Sequence, residues 1–139
     1  MRIIGGVYKG RRLNSPIGQG VRPTSSRVRE AIFNILTHGL TGKKELIKDA
    51  IVIDLFCGTG AFGLEALSRG AAHITFLDCS QPTLAVARRN AAFGFEIANS
   101  INFLRLDATK LPPAPRVSRS PFHIAFLDPP YGKNLAVPA

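Results

Sequence analysis

No stretch of this chain approaches the roughly 20 consecutive apolar residues that a membrane-crossing helix needs, so no segment reads as a span. There are two cysteines, Cys57 and Cys79, and they form no CxxC pair. That excludes a disulfide framework and a cysteine-built metal site of the usual spacing. No base lies near Cys57 in sequence, which argues against a nucleophilic thiol. The opening Met1-Arg2-Ile3-Ile4-Gly5-Gly6 lacks the apolar core of a signal peptide. A cytoplasmic protein with reduced thiols and no membrane partner is the expectation. Internal repeats and heptads are missing as well. Acidic residues are scarce, 9 against 18 Lys and Arg, and the scarcity is local. Residues 1–48 hold ten Lys/Arg against two acids, Glu30 and Glu45, whereas residues 49–139 hold eight against seven. A basic segment of this kind favours phosphate backbones and salt-dependent binding.

What is present suffices for one domain with a core: 139 residues, 45% of them hydrophobic. Residues 2–13 alternate basic and apolar character around Gly5-Gly6 and Gly10 and predict a short β-hairpin. Residues 14–23, with Pro16, Gly18, Gly20 and Pro23, read as loop. Thr24 is placed to cap a helix whose apolar stripe is Val28, Ala31, Ile32, Ile35 and Leu36. Arg27, Arg29 and Glu30 lie off that stripe, and Gly39 ends the helix.

From residue 50 the pattern becomes β/α. Strands are expected at 51–56, 73–78, 101–106 and 122–127, with helices at 61–69 and 81–93 between them. Pro112, Pro113, Pro115 and Pro121 exclude a long helix over 111–121. Such alternation implies a mostly parallel sheet with right-handed crossovers.

Two motifs carry chemistry. Asp54-Leu55-Phe56-Cys57-Gly58-Thr59-Gly60 follows the first strand, and Gly58, Gly60 and Gly63 give GxGxxG. Alone that pattern is weak. In open α/β sheets, however, ligands bind beyond the carboxyl ends of the strands, where this loop falls. A dinucleotide would set its pyrophosphate at the helix start. Asp54 at the mouth of the loop would repel it and favour a cationic, hydrogen-bond-donating ligand such as the aminoacyl end of S-adenosylmethionine. Asp78, 20 residues beyond Gly58, suits two ribose hydroxyls, though a nicotinamide cofactor would use it equally. Asp107 would bond an adenine amine, with Ala108 beside the ring. Any one aspartate at a strand end is also an ordinary cap or turn residue.

The second motif is Asp128-Pro129-Pro130-Tyr131, behind the fourth strand. An aromatic amine is a poor nucleophile because its lone pair is delocalised into the ring. A carboxylate and a backbone carbonyl accepting from its two N–H bonds favour a pyramidal nitrogen. Two prolines remove backbone donors and leave carbonyls facing the amine. Tyr131 offers a face on which a splayed base can stack.

These residues, taken together, resemble a known family: the bacterial 16S rRNA (guanine-N2)-methyltransferases of the small ribosomal subunit. Arg2-Ile3-Ile4-Gly5-Gly6 and Lys9-Gly10-Arg11-Arg12-Leu13 match its N-terminal hairpin. Arg22-Pro23-Thr24, Arg27 to Ala31 and Phe33-Asn34 match its first helix. Asp54 to Gly60, Phe62 to Gly70 and Asp128 to Tyr131 match its cofactor and catalytic motifs. The resemblance implies a Rossmann-like α/β methyltransferase domain over residues 49–139, four parallel strands of it readable, behind a basic RNA-contacting extension over 1–48. It implies S-adenosylmethionine as cofactor, held by Asp54, Phe56, Gly58, Thr59 and Gly60 at the methionine end, Asp78 at the ribose, and Asp107 and Ala108 at the adenine. Asp128, Pro129, Pro130 and Tyr131 would hold the guanine, and Arg2, Lys9, Arg11, Arg12, Arg22 and Arg27 would contact RNA. The partner is small-subunit rRNA or an assembling small subunit, and the enzyme a monomer needing no metal.

The family's sheet has seven strands and its members continue past the catalytic motif, whereas this chain ends eight residues after Tyr131. The expectation is a truncated chain of impaired stability and little or no activity, with its fourth strand as an apolar edge. Other readings stay open: a methyltransferase acting on the N6 amine of adenine in DNA, and an inactive RNA-binding fragment. A dehydrogenase is disfavoured by Asp54.

Overall fold

The computed structural model describes residues 1–15, 24–39, 42, 45–94, 97–112 and 121–130. Expectations for Arg22 and Tyr131 lie outside the described residues, as do those for the loop over 16–23.

The chain forms α1 (Ser26–His38), β1 (Ile51–Asp54), α2 (Ala61–Ser68), β2 (His73–Asp78), α3 (Gln81–Ala91), β3 (Ile101–Arg105) and β4 (Ile124–Phe126), with short 3-10 turns at Ala98–Ser100 and Ala108–Lys110. All four strands are parallel, in the order β3-β2-β1-β4. β1 to β3 step outward in one direction, and β4 returns to the opposite side of β1. The sheet order therefore reverses between β1 and β4, the position where open α/β sheets leave a ligand crevice. The register sets Asp54 beside Phe76 of β2 and Phe126 of β4.

Expected and observed elements agree, and the differences are confined mostly to their ends. β1 stops at Asp54 rather than residue 56, although Leu55 N still donates to Phe126 O at 3.0 Å before the chain turns into the glycine loop. β4 is three residues long, with Phe122 and Leu127 outside it and exposed. The expected N-terminal hairpin is reduced to one antiparallel bridge, Arg2 with Arg12, backed by Ile3 N donating to Arg11 O at 3.0 Å and Gly10 N to Ile3 O at 2.8 Å.

α1 carries two corrections. Its cap is Ser25, whose hydroxyl accepts from Val28 N at 3.3 Å, and not Thr24. Its fully buried residues are Arg29 and Phe33; of the expected stripe Ile32 and Leu36 pack against the core, whereas Ala31 is exposed, Val28 is 50% exposed and Ile35 46%. Partners decide this rather than apolarity. The ring of Phe33 packs against Phe62 of α2 and Phe126 of β4, centroids 6.2 and 5.6 Å away. Arg29, 1% exposed, donates to the Arg2 carbonyl at 2.6 Å and lies 3.9 Å from the fully buried Glu65 carboxylate. Burial pulls the Arg29 guanidinium below its ordinary pKa, and Glu65 acts against that shift.

α2 packs on β1 and β2, and α3 on β2 and β3. The core joins Ile3, Leu13, Phe33 and Ile47 to Val52, Leu64, Ile74 and Phe76, so it runs without interruption from the N-terminal residues into the sheet. Polar contacts reinforce the join. Glu65 accepts from Ile4 N, Gly5 N and Arg69 Nε at 2.7–2.8 Å. Asn90 accepts from Asn14 N at 2.7 Å and donates to the carbonyls of Asn14 and Thr59 at 3.0 and 2.8 Å.

Candidate active site

β1 ends in Asp54, and the next residues turn at once. Cys57 N donates to Leu77 O at 3.0 Å, which moors the loop to the end of β2, and Gly60 N closes the turn on Cys57 O at 2.7 Å. Gly60 begins α2 in the left-handed region at φ 79°, where a side chain would be strained. Gly63 serves a different need. A Cβ there would lie 2.3 Å from the Phe76 ring and 2.7 Å from Ile74, so only glycine lets α2 lie this close to β2. The glycine pattern thus builds the loop and seats the helix.

Asp54 is 1% exposed, and its Oδ2 is buried without a hydrogen-bond partner among the described residues. Its pKa is raised from 3.8 to about 7. Burial is the largest cause, and the negative charges of Asp128 and Asp78 add to it, while backbone N–H groups of Gly63 and Phe56 oppose it. Asp54 therefore feels the carboxyl groups of Asp78, at the end of β2, and of Asp128, beyond β4. Cys57 is buried and its thiol is pushed up in pKa by desolvation and then by Asp54 and Asp78, the opposite of an activated thiolate.

Asp78 is held firmly: Oδ1 accepts from Ser80 N at 2.9 Å and Oδ2 from Gly58 N at 3.3 Å. Asp107 is exposed, and its Oδ1 accepts from Thr109 N and Oγ1 at 2.9 and 2.6 Å, capping the turn at Ala108–Lys110. Those bonds hold its carboxyl below the ordinary value. Ala108 is buried against Leu55 and Leu77, with Ile53 and Phe56 packed beside them. Thr59 sits in the loop with its carbonyl bound by Asn90.

Asp128 and Pro129 are half-buried and Pro130 is exposed. Thr24, just ahead of α1, donates its hydroxyl to Asp128 Oδ2. A cavity beside this pair is lined by Thr24, Val28, Ile32, Phe62, Phe126, Leu127 and Asp128. Arg2, Lys9, Arg11, Arg12 and Arg27 are all exposed. Two of them also have internal contacts: Arg2 donates to the Gly10 carbonyl at 2.8 Å, and Arg11 lies 4.1 Å over the Phe93 ring.

Sequence reasoning missed three groups around this site. Thr24 was legible only as a helix cap. Glu65 and Asn90 carry no local signal, since each acts on backbone some 60–76 residues away. Their one signature is a polar residue on the buried side of a helix.

A family model described as "Conserved hypothetical protein 95" matches residues 1–139. A curated protein of Escherichia coli, ribosomal RNA small subunit methyltransferase D, is 37% identical over 141 residues, covering 97% of this chain and 62% of the relative. A protein of the same description from Haemophilus influenzae is 36% identical over 98% of this chain and 66% of its own length. The chain thus spans a little under two thirds of these curated relatives. Among solved structures, a candidate methylase from Haemophilus influenzae matches with TM-score 0.70 at 29% identity, covering 99% of this chain and 68% of that one. A candidate methyltransferase from Escherichia coli matches with TM-score 0.64 at 38% identity, covering 78% and 54%. The architecture is accordingly the Rossmann-like α/β fold of these methyltransferases.

Proposed function

This chain belongs to the family described as conserved hypothetical protein 95, and from that membership we propose that it carries the cofactor and catalytic motifs of an S-adenosylmethionine-dependent methyltransferase acting on the N2 amine of a guanine in small-subunit ribosomal RNA. The observation that carries this reading is Asp54, a buried carboxyl at the β1/β4 reversal with one oxygen unpartnered and two further carboxyl groups near it.

The residues fit the cofactor. The unpartnered Oδ2 of Asp54 suits a cationic donor such as the methionine ammonium, and the negative surroundings favour a sulfonium over a pyrophosphate. Phe56, Gly58, Thr59 and Gly60 form the cradle around that end. Asp78 keeps lone pairs for ribose hydroxyls on a carboxylate already oriented by Gly58 and Ser80. Asp107, engaged through Oδ1 by Thr109, keeps Oδ2 for the adenine amine, and Ala108 forms the apolar floor. When bound, the cofactor supplies an electrophilic methyl group.

On the acceptor side, Asp128 and the Pro129 carbonyl accept from the two N–H bonds of the guanine amine, which turns its lone pair out of conjugation. Pro130 fixes the backbone and Tyr131 stacks on the base. The nitrogen gains the methyl and gives up one proton, which the Asp128 carboxylate is placed to take. Orientation of the two reactants provides the acceleration. Arg2, Lys9, Arg11, Arg12, Arg22 and Arg27 hold RNA phosphates. The name of the Escherichia coli relative supports the small-subunit rRNA substrate over duplex DNA. Among the described residues no helix is long and apolar enough to cross a membrane, in keeping with work on ribosomal RNA in the cytoplasm.

Calorimetry of S-adenosylmethionine binding, followed by single-turnover methyl transfer to small-subunit rRNA, tests this. The native chain binds saturably, and the methyl it transfers, slowly if the family's further strands matter, goes to guanine; Asp54→Asn loses binding at least tenfold, and Asp128→Asn binds normally but loses that transfer. A native chain that binds a nicotinamide cofactor better, or labels adenine, overturns the reading.

A further inference from the structure

We infer that Thr24 is a positioning residue for the catalytic carboxylate, and that the start of α1 forms one wall of the acceptor pocket; this rests on the reading of Asp128 given above.

Thr24 and Asp128 lie 104 residues apart, yet the Thr24 hydroxyl donates to Asp128 Oδ2. A threonine next to a helix start ordinarily turns its hydroxyl onto the helix's free N–H groups. Here Ser25 does that work through Val28 N, which frees Thr24 to point across the pocket. The bond has a chemical use. A carboxylate that accepts one amine N–H must present one oxygen in the plane of that bond, and an unheld carboxylate rotates about its Cβ–Cγ axis. With Oδ2 held by Thr24, Oδ1 is the oxygen left to face the amine.

The frame behind Thr24 is rigid on two independent sides. Phe33 of α1, Phe62 of α2 and Phe126 of β4 form a three-ring cluster with centroids 5.0–6.2 Å apart, and Phe126 is two residues from Asp128. Arg29, one turn beyond Ser25, is buried and bound to the Arg2 carbonyl. α1 is therefore fixed against the strand that carries Asp128 and against the basic N-terminal segment. The cavity between them has an apolar wall of Val28, Ile32, Phe62 and Phe126 with Thr24 and Asp128 as its polar groups, a composition that suits the face of a planar base held by one edge. Arg27 stands three positions from Thr24 on the same exposed helix start, so a phosphate bound there is held close to the pocket.

Thr24→Val keeps the shape and removes the donor, and Thr24→Ser keeps the donor. On small-subunit rRNA in single turnover, Thr24→Val slows methyl transfer about tenfold to a hundredfold, as expected for a lost bond to a charged group that orients a reacting amine. Thr24→Ser restores most of the rate, and both variants keep the native affinity for S-adenosylmethionine. Thr24→Val transferring at the native rate overturns the inference, and so does failure of Thr24→Ser to restore it. If the native chain binds the cofactor but transfers nothing, the functional reading fails for this chain, and hydrogen exchange decides the contact separately. The Arg29 amide, bonded to Ser25 O at 3.1 Å, then exchanges several-fold faster in both Thr24→Val and Asp128→Ala. Unchanged exchange in both refutes the link between α1 and Asp128.

Discussion

At Asp54, stability and binding pull in opposite directions. Folding raises its pKa from 3.8 to about 7, chiefly by burial, so the folded chain holds this proton more tightly than the unfolded chain does. Its contribution to stability is full below 3.8, declines as the pH rises through the window, and is gone above about 7. Each pH unit crossed costs at most about 1.4 kcal/mol. An ammonium ligand needs the ionised form, which the same rise in pH supplies. Calorimetry across the window is expected to show affinity for S-adenosylmethionine increasing as the pH passes through about 7, with Asp54→Asn weak and flat. Thermal melts above that pH are expected to show Asp54→Asn more stable than the native chain. The residue was legible because its position ahead of a glycine loop is defined by local spacing. The role proposed for Thr24 was not, because Thr24 and Ser25 are both cap-forming residues and the partner of Thr24 lies 104 residues distant.

At the scale of elements, the order and type of the β/α units could be read, with ends within two residues, since strand periodicity and glycine punctuation are local signals. β2 and α2 were placed to within one residue of their ends. The inward face of α1 could not be read. Its apolar positions form a good stripe, but only Ile32 and Leu36 of it pack against the core, while Val28, Ala31 and Ile35 meet solvent; the most buried positions, Arg29 and Phe33, face Glu65 and the rings of Phe62 and Phe126 on other elements. Glu65 is 0% exposed and gathers Ile4 N, Gly5 N, Arg69 and Arg29. Removing it strands one buried guanidinium and two backbone donors together. Glu65→Ala is expected to lower stability in urea by about 3–5 kcal/mol, the usual cost of breaking a buried pair from one side. Glu65→Gln, which keeps an acceptor for the backbone, is expected to lose less.

Across the whole molecule, charge and core are distributed differently. The net charge of +9 sits almost entirely in residues 1–48, whereas Ile3, Leu13, Phe33 and Ile47 of that segment share the core of the sheet. Composition revealed the first and could not reveal the second. Arg2, Lys9, Arg11 and Arg12 are thereby tied to the same body as the strand ends, which the proposed role in holding RNA phosphates requires. Affinity for small-subunit rRNA is expected to fall linearly on a log–log plot against salt, and Arg12→Ala to reduce the slope by about 1. Filter binding across a salt series measures this, and an unchanged slope would remove Arg12 from the RNA surface.

The docking of residues 1–15 also has a consequence in time. Their partners, Glu65, Ser68 and Asn90, stand 60–76 positions later in the chain. During synthesis these cationic residues emerge before there is anything for them to close upon, and they wait while α2 and α3 are made. Contacts of such long reach form after the transition state when local β/α units nucleate first. Ile3→Ala is accordingly expected to speed unfolding while leaving the refolding rate near native, a difference that stopped-flow measurements resolve directly.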